Sequence, residues 1–175
     1  LTLQLVKDYL TVPLSILYKD YYLHNSLKTN ATHFIEKIRD SALKQIETNS
    51  WLEDSTKHIA REKVKKMVLS IGWPEYYHKL NLPKLQTDNL LLNVYLLSQS
   101  KSRNEIYLLD KKSKPGKTWS EPTYVVNAYY YNEINEFIIP AGSLMYPYYD
   151  TSKTIGWNYG GLGCVIGHEM IHAFD

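Results

Sequence analysis

The sequence predicts a mainly α protein with a small β-hairpin, an α+β class. The first part of the chain carries apolar residues at helical spacing. A basic loop containing Gly and Pro, "DKKSKPGKTWSEP", marks the one clear change in character. Beyond it, two short runs rich in β-branched and aromatic residues precede a closing apolar run that contains two histidines and a glutamate. The expected division is a helical region over 1–110, then a hairpin and a final helix over 111–175.

From Asn30 to Thr48, Phe34, Ile35, Ile38, Ala42 and Ile46 recur at helical spacing, with Asn30 or Thr29 placed to cap the N-terminus. From Asp54 to Ile71, the stripe Ile59, Ala60, Val64, Met67, Val68 and Ile71 predicts a second helix, stopped by Gly72-Trp73-Pro74. A third helix includes "TDNLLLNVYLLSQS". "TYVVNAYY" and "EFIIP", separated by "YNEIN", predict the hairpin, and Pro140 makes the second strand an edge or ends it. The last helix is expected to begin near Asn158 or Tyr159.

At 175 residues and 44% hydrophobic content the chain can bury the core of one ordinary domain. Its 20 basic and 18 acidic residues are interspersed, which gives no basic face and excludes a nucleic-acid partner. No apolar run approaches the roughly 18 residues of a membrane span. The chain starts without Met, lacks a signal-peptide pattern and stops at Asp175, from which a piece of a longer protein or a processed product is expected. Cys164, the single cysteine, excludes an internal disulfide framework. Asn30-Ala31-Thr32 fits the N-glycosylation sequon.

The chemistry concentrates in "VIGHEMIHAFD". At about 100° per residue, His168, His172 and Asp175 share a face with Gly161 and Cys164, while Leu162, Ile166, Met170, Ala173 and Phe174 form the opposite, anchoring face. Two histidines one turn apart can reach one zinc ion, and Glu169 flanks them where it can take a proton from a water: the H-E-x-x-H arrangement. The pentapeptide could also be a chance occurrence on a solvated helix face. The small residues Gly161 and Cys164 are expected to keep the polar stripe open. Asp175 could orient a ligand histidine, or could simply end the helix.

With its neighbouring segments, the sequence resembles the neprilysin-type zinc metallopeptidases. "VVNAYYYNEINEFIIPAGSL" is similar to the family's N-A-[FY]-Y followed by N-x-I-x-x-P-A-G-x-L. "NYGGLGCVIGHEMIHAFD" is similar to its N-Y-G-G-[IL]-G-x-V-I-G-H-E-[IM]-x-H-x-F-D. Upstream, "NSWLEDSTKHIAREKVKKMVLSIGWPE" resembles its W-[ML]-D-x-x-T, then A-x-x-K, then I-G-[YW]-P. The resemblance implies part of a gluzincin, thermolysin-like catalytic domain that hydrolyses oligopeptides, with one zinc per complete site. It implies His168 and His172 as zinc ligands and Glu169 as general base. It implies that Asn127 and Ala128 hold the substrate backbone as an added antiparallel strand; from strand context alone, Asn127 reads as a turn or edge residue satisfied by its own backbone.

Cys164, Val165, Ser143 and Tyr148 would line the pocket for the side chain after the scissile bond. The family has an aliphatic residue at 143, Phe at 148 and Met or an aliphatic residue at 164, so a more polar or differently shaped pocket is expected here. The family's third ligand is a glutamate in a later E-x-x-x-D motif, expected outside this sequence, on a missing C-terminal part or a second polypeptide; the fragment alone is then expected to be inactive. Glu36 and Asp40 in "EKIRD" do not replace it, because their helix stripe turns them to solvent. A metzincin would need Gly at 175. The other readings are an inactive pseudo-protease or peptide-binding fragment, and one chain of a two-chain peptidase. His24, His33, His58 and His78 read as surface or capping residues. The relatives' range, with the sequon, tilts the expected location to an extracellular or membrane-anchored ectodomain.

Overall fold

The computed structural model describes residues 2–109 and 115–175. Three helices come first, α1 (Thr2–Tyr9), α2 (Thr11–Tyr22) and α3 (Asn25–Thr48). α3 starts ahead of the expected Asn30 or Thr29 cap, because the apolar stripe continues upstream through Leu27 and Ala31 into the core. Thr29 lies inside the helix and donates its hydroxyl to the Asn25 carbonyl one turn back. Ala31, Phe34 and Ile35 are buried, while Ala42 and Ile46 are half-buried. The sequon therefore sits in mid-helix with Ala31 fully enclosed, not in the surface loop such a triplet suggests.

The helix expected over 54–71 is two elements. α4 (Asp54–Lys65) ends early, and Val68–Gly72 forms strand β1, parallel to β3 (Glu136–Pro140) with Val68 opposite Glu136 and Gly72 opposite Pro140. A short apolar run fits a buried strand as well as a helix face, and a parallel partner far along the chain leaves no mark on local periodicity. Ile59, expected in the stripe, is 69% exposed. α5 (Leu90–Leu109) extends the third expected helix, and the first five residues of the basic loop, 110–114, lie outside the described residues.

The hairpin is present but shorter than expected: β2 (Tyr129–Tyr131) runs antiparallel to β3, and residues 123–128 are not strand. The sheet order is β1-β3-β2. β3 is thus the central strand and not an edge, and Pro140 ends it, where a missing N–H costs least. Glu136 is enclosed within this sheet, its carboxylate accepting from Gly116 N (2.8 Å) and from the Ser70 hydroxyl, as a buried carboxyl requires.

After β3 the chain makes a 3-10 turn, Ala141–Leu144, then a one-turn helix α6 (Ile155–Asn158), a π-helical turn (Tyr159–Gly163) and α7 (Cys164–Ile171). The last helical stretch begins at Ile155, before the expected start, because Thr154 caps it by accepting from Trp157 N at 3.3 Å. One core joins α3, the sheet and α7 through Phe34, Ile35, Phe137, Ile139, Leu162, Ile166 and Met170. Among the described residues no helix is long and apolar enough to cross a membrane.

Seven tyrosines (18, 77, 124, 129, 130, 131 and 149) have phenols raised above their ordinary value of 10.0, chiefly by burial. Three of them also form short hydrogen bonds: Tyr131 donates to Glu121 at 2.6 Å, Tyr130 donates to Asn135 at 2.8 Å, and Tyr77 shares one with Thr123 at 2.6 Å. Groups whose folded pKa is raised contribute stability that is complete below the unfolded value and is lost as pH rises through the folded values. Lys28, lowered by burial beside Trp73, works in the opposite sense in the same alkaline range, against seven tyrosines. Thermal melts should therefore hold steady to about pH 10 and fall steeply above it; an unchanged melting temperature at pH 11 would contradict this packing.

Candidate zinc site

α7 has a held face and a free face. Leu162, Ile166, Met170 and Ala173 are all buried, as the spacing predicts. Phe174 is not: the helix has ended, Phe174 N bonds back to Ile171 O at 2.8 Å, and the residue is 47% exposed. Gly161 does not keep the polar stripe open. A Cβ there would lie 2.5 Å from the Tyr148 carbonyl, which accepts from Leu162 N at 2.9 Å, so the bare glycine lets two backbones touch. Gly142 does the same beside Val125, where a Cβ would fall 2.4 Å from the carbonyl oxygen.

On the free face, the Nε2 atoms of His168 and His172 stand 3.1 Å apart. The Glu169 carboxylate joins them, with all three candidate ligand atoms within 4.8 Å of one another. Among the described residues this is the one group of three such side chains close enough to hold a metal. Two nitrogens each about 2.0–2.1 Å from a tetrahedral zinc stand roughly 3.3–3.4 Å apart, so the pair fits one ion with a shift of a few tenths of an ångström. Asp175 follows the helix and sets its carboxylate 3.1 Å from His172 Nδ1. A carboxylate can only accept, so His172 carries its proton on Nδ1 and keeps the Nε2 lone pair free for a metal.

The free edge of the sheet lies beside this face. A shallow pocket of about 400 Å³ is lined by Ala128 and the three tyrosines of β2 on one side and by Glu169, His172 and Asp175 on the other. Asn127 is exposed, its side-chain oxygen accepting from Ala128 N at 3.0 Å, and Ala128 is 6% exposed. Ser143 is buried and donates its hydroxyl to the Asn127 carbonyl at 2.7 Å, which fastens this segment to the 3-10 turn. Tyr148 and Cys164 are exposed, the thiol 3.6 Å from the Tyr159 carbonyl, and Val165 packs half-buried against the core. Ser143, Tyr148, Cys164 and Val165 lie outside the lining of this 400 Å³ pocket.

Glu36 pairs with Arg39 and Asp40 is exposed, as the helix stripe predicts. His24, His33 and His58 are exposed, and His78 is half-buried. Lys63, within the A-x-x-K block, is a residue to which sequence reading gave no role. Its ammonium donates to the Ala173 carbonyl at 2.5 Å, although 110 residues separate them.

A helix with H-E-x-x-H on its free face, held over one core beside the free edge strand of a small sheet, is the architecture of a zinc metallopeptidase lobe. Two models, both described as peptidase family M13, match residues 2–74 and 127–175. The chain belongs to that family. It is 37% identical over 154 residues to a neutral endopeptidase of Lactobacillus helveticus, covering 83% of this chain and 23% of the relative. It is 31% identical to human endothelin-converting enzyme 1, covering 85% of this chain and 20% of that protein. Its fold matches a zinc metalloprotease of Mycobacterium tuberculosis, ZMP1, solved with an inhibitor (TM-score 0.88, 26% identity, 97% of this chain and 25% of that one). It also matches PepO of Lactobacillus rhamnosis HN001 (DR20) (TM-score 0.83, 30% identity, 97% and 27%). The chain spans about a quarter of the length of such relatives.

The two glycines differ in what a methyl would meet. Gly161→Ala should cost about 1–3 kcal/mol by overpacking against Tyr148. Gly160→Ala, with nothing within 4 Å, should be neutral or slightly stabilising. Melting temperatures of the two variants check this; equal values would contradict the contact.

Proposed function

We propose that this chain supplies part of the active site of a zinc-dependent endopeptidase that cleaves oligopeptides. The observation that carries the reading is the convergence of two imidazole nitrogens, 3.1 Å apart, and one carboxylate beside a free strand edge. His168 and His172 would hold the metal through Nε2. Bound zinc would supply Lewis acidity, polarising the peptide carbonyl and making a water acidic near neutral pH. Glu169, on the flank of the pair, takes the proton of the attacking water and returns it to the departing amine. Asp175 keeps His172 in the tautomer that leaves Nε2 free.

The substrate adds as an antiparallel strand along β2, its backbone met at Asn127 and Ala128, with Ser143 fixing the carbonyl of Asn127. Cys164, Val165 and Tyr148 take part in side-chain selection once the remainder of the site is present. The third protein ligand, a carboxylate, comes from outside residues 1–175, which makes this sequence inactive alone. An extracellular or membrane-anchored setting follows from the same family resemblance.

In the complete enzyme containing this sequence, Glu169→Gln should lower kcat on a fluorogenic oligopeptide by about 10²–10⁴-fold with zinc content unchanged. A Gln variant that retains full activity overturns the assignment of the base.

A further inference from the structure

Lys63 stands where three parts of the site meet. It leaves α4 half-buried and points its ammonium at the end of α7, donating to the Ala173 carbonyl at 2.5 Å. That carbonyl lies just past the end of α7, on the residue immediately after the C-cap His172. The same ammonium lies 3.4 Å from Asn132 Oδ1, just past β2, and 5.9 Å from the centre of the Tyr130 ring on β2. The backbone of Lys63 is engaged as well: its carbonyl accepts from Asn135 Nδ2 at 2.9 Å. Asn135 holds the positive φ of the hairpin turn, at 48°, and accepts from the Tyr130 hydroxyl at 2.8 Å.

From these contacts we infer that Lys63 is a positioning residue: it sets the separation between the substrate edge β2 and the ligand helix, and the orientation of His172 and Asp175. A cation at the C-terminus of a helix is favoured by the helix dipole. The further link to Asn132 and Tyr130 ties that helix end to the strand across the 400 Å³ pocket. With the Ala173 carbonyl held, the chain turns directly into Asp175, whose carboxylate returns to His172 Nδ1 at 3.1 Å. Without the ammonium, that carbonyl has no tertiary anchor among the described residues, and both the imidazole and the width of the pocket lose definition. The inference rests on the zinc-site reading only for the meaning of that orientation.

The test compares the full 175-residue chain with Lys63→Met, which keeps the aliphatic stem, and Lys63→Arg, which keeps the charge and the donors. Zinc affinity is read by competition with a chromophoric chelator, and backbone hydrogen exchange is read by NMR. Lys63→Met should weaken zinc by about 10–100-fold, the range for residues that orient a ligand, and Lys63→Arg should recover most of it. Wild-type affinity in the Met variant, or a loss that Arg does not recover, overturns the inference while leaving the zinc reading intact. If the parent chain binds no zinc, this chain alone does not make the proposed site, and exchange decides the inference. Protection lost selectively at Ala173 and Phe174 in the Met variant, and regained in the Arg variant, supports it; unchanged or uniformly lowered protection overturns it. Lys63→Gln replaces the Met variant should that one fail to fold, with the same outcomes.

Discussion

The burial of Leu162, Ile166, Met170 and Ala173 against the sheet and α3 is the interaction on which the rest depends. Each of the three larger side chains contributes about 1.5–3 kcal/mol when fully removed from water, and together they fix the helix about its axis. Only with that rotation fixed do His168 and His172, one turn apart on the opposite face, aim at one point. A helix turned by a single position would send the imidazoles apart and bring polar groups into the core. The glycine contacts serve the same end, since Gly161 against Tyr148 seats the turn that leads into α7.

The sheet supplies the second half of the arrangement. β3 is buried along its whole length, with β1 on one side and β2 on the other, so β2 is left as the edge beside the histidines. A free edge presents unpaired backbone groups, which a peptide in extended form can pair. Gly142 and Ser143 draw the segment before β2 down onto the 3-10 turn, and the Lys63 ammonium spans from the hairpin to the helix end. The gap between edge and helix is therefore set by contacts distant in sequence.

What was legible in the sequence follows from the range of each interaction. The anchoring face of the closing helix, the hairpin and the candidate ligands are local patterns, and all could be read from spacing. β1 could not, since "VLSIG" satisfies a helix stripe and becomes a strand only because β3 lies parallel to it. The end of α7 is a smaller departure: helical spacing alone puts Phe174 on the buried face, whereas the helix closes at Ile171. The π-helical turn, the use of Gly161 and the reach of Lys63 to residue 173 are tertiary facts. The A-x-x-K block flagged the lysine without saying what it touches.

The most direct measurement is X-ray absorption on the chain loaded with one equivalent of zinc, compared with His168→Ala and His172→Ala. The account predicts two imidazole nitrogens at about 2.0–2.1 Å in the parent and one in each variant. A spectrum unaltered by either substitution would place the metal elsewhere and contradict the convergence of His168 and His172 on a single ion.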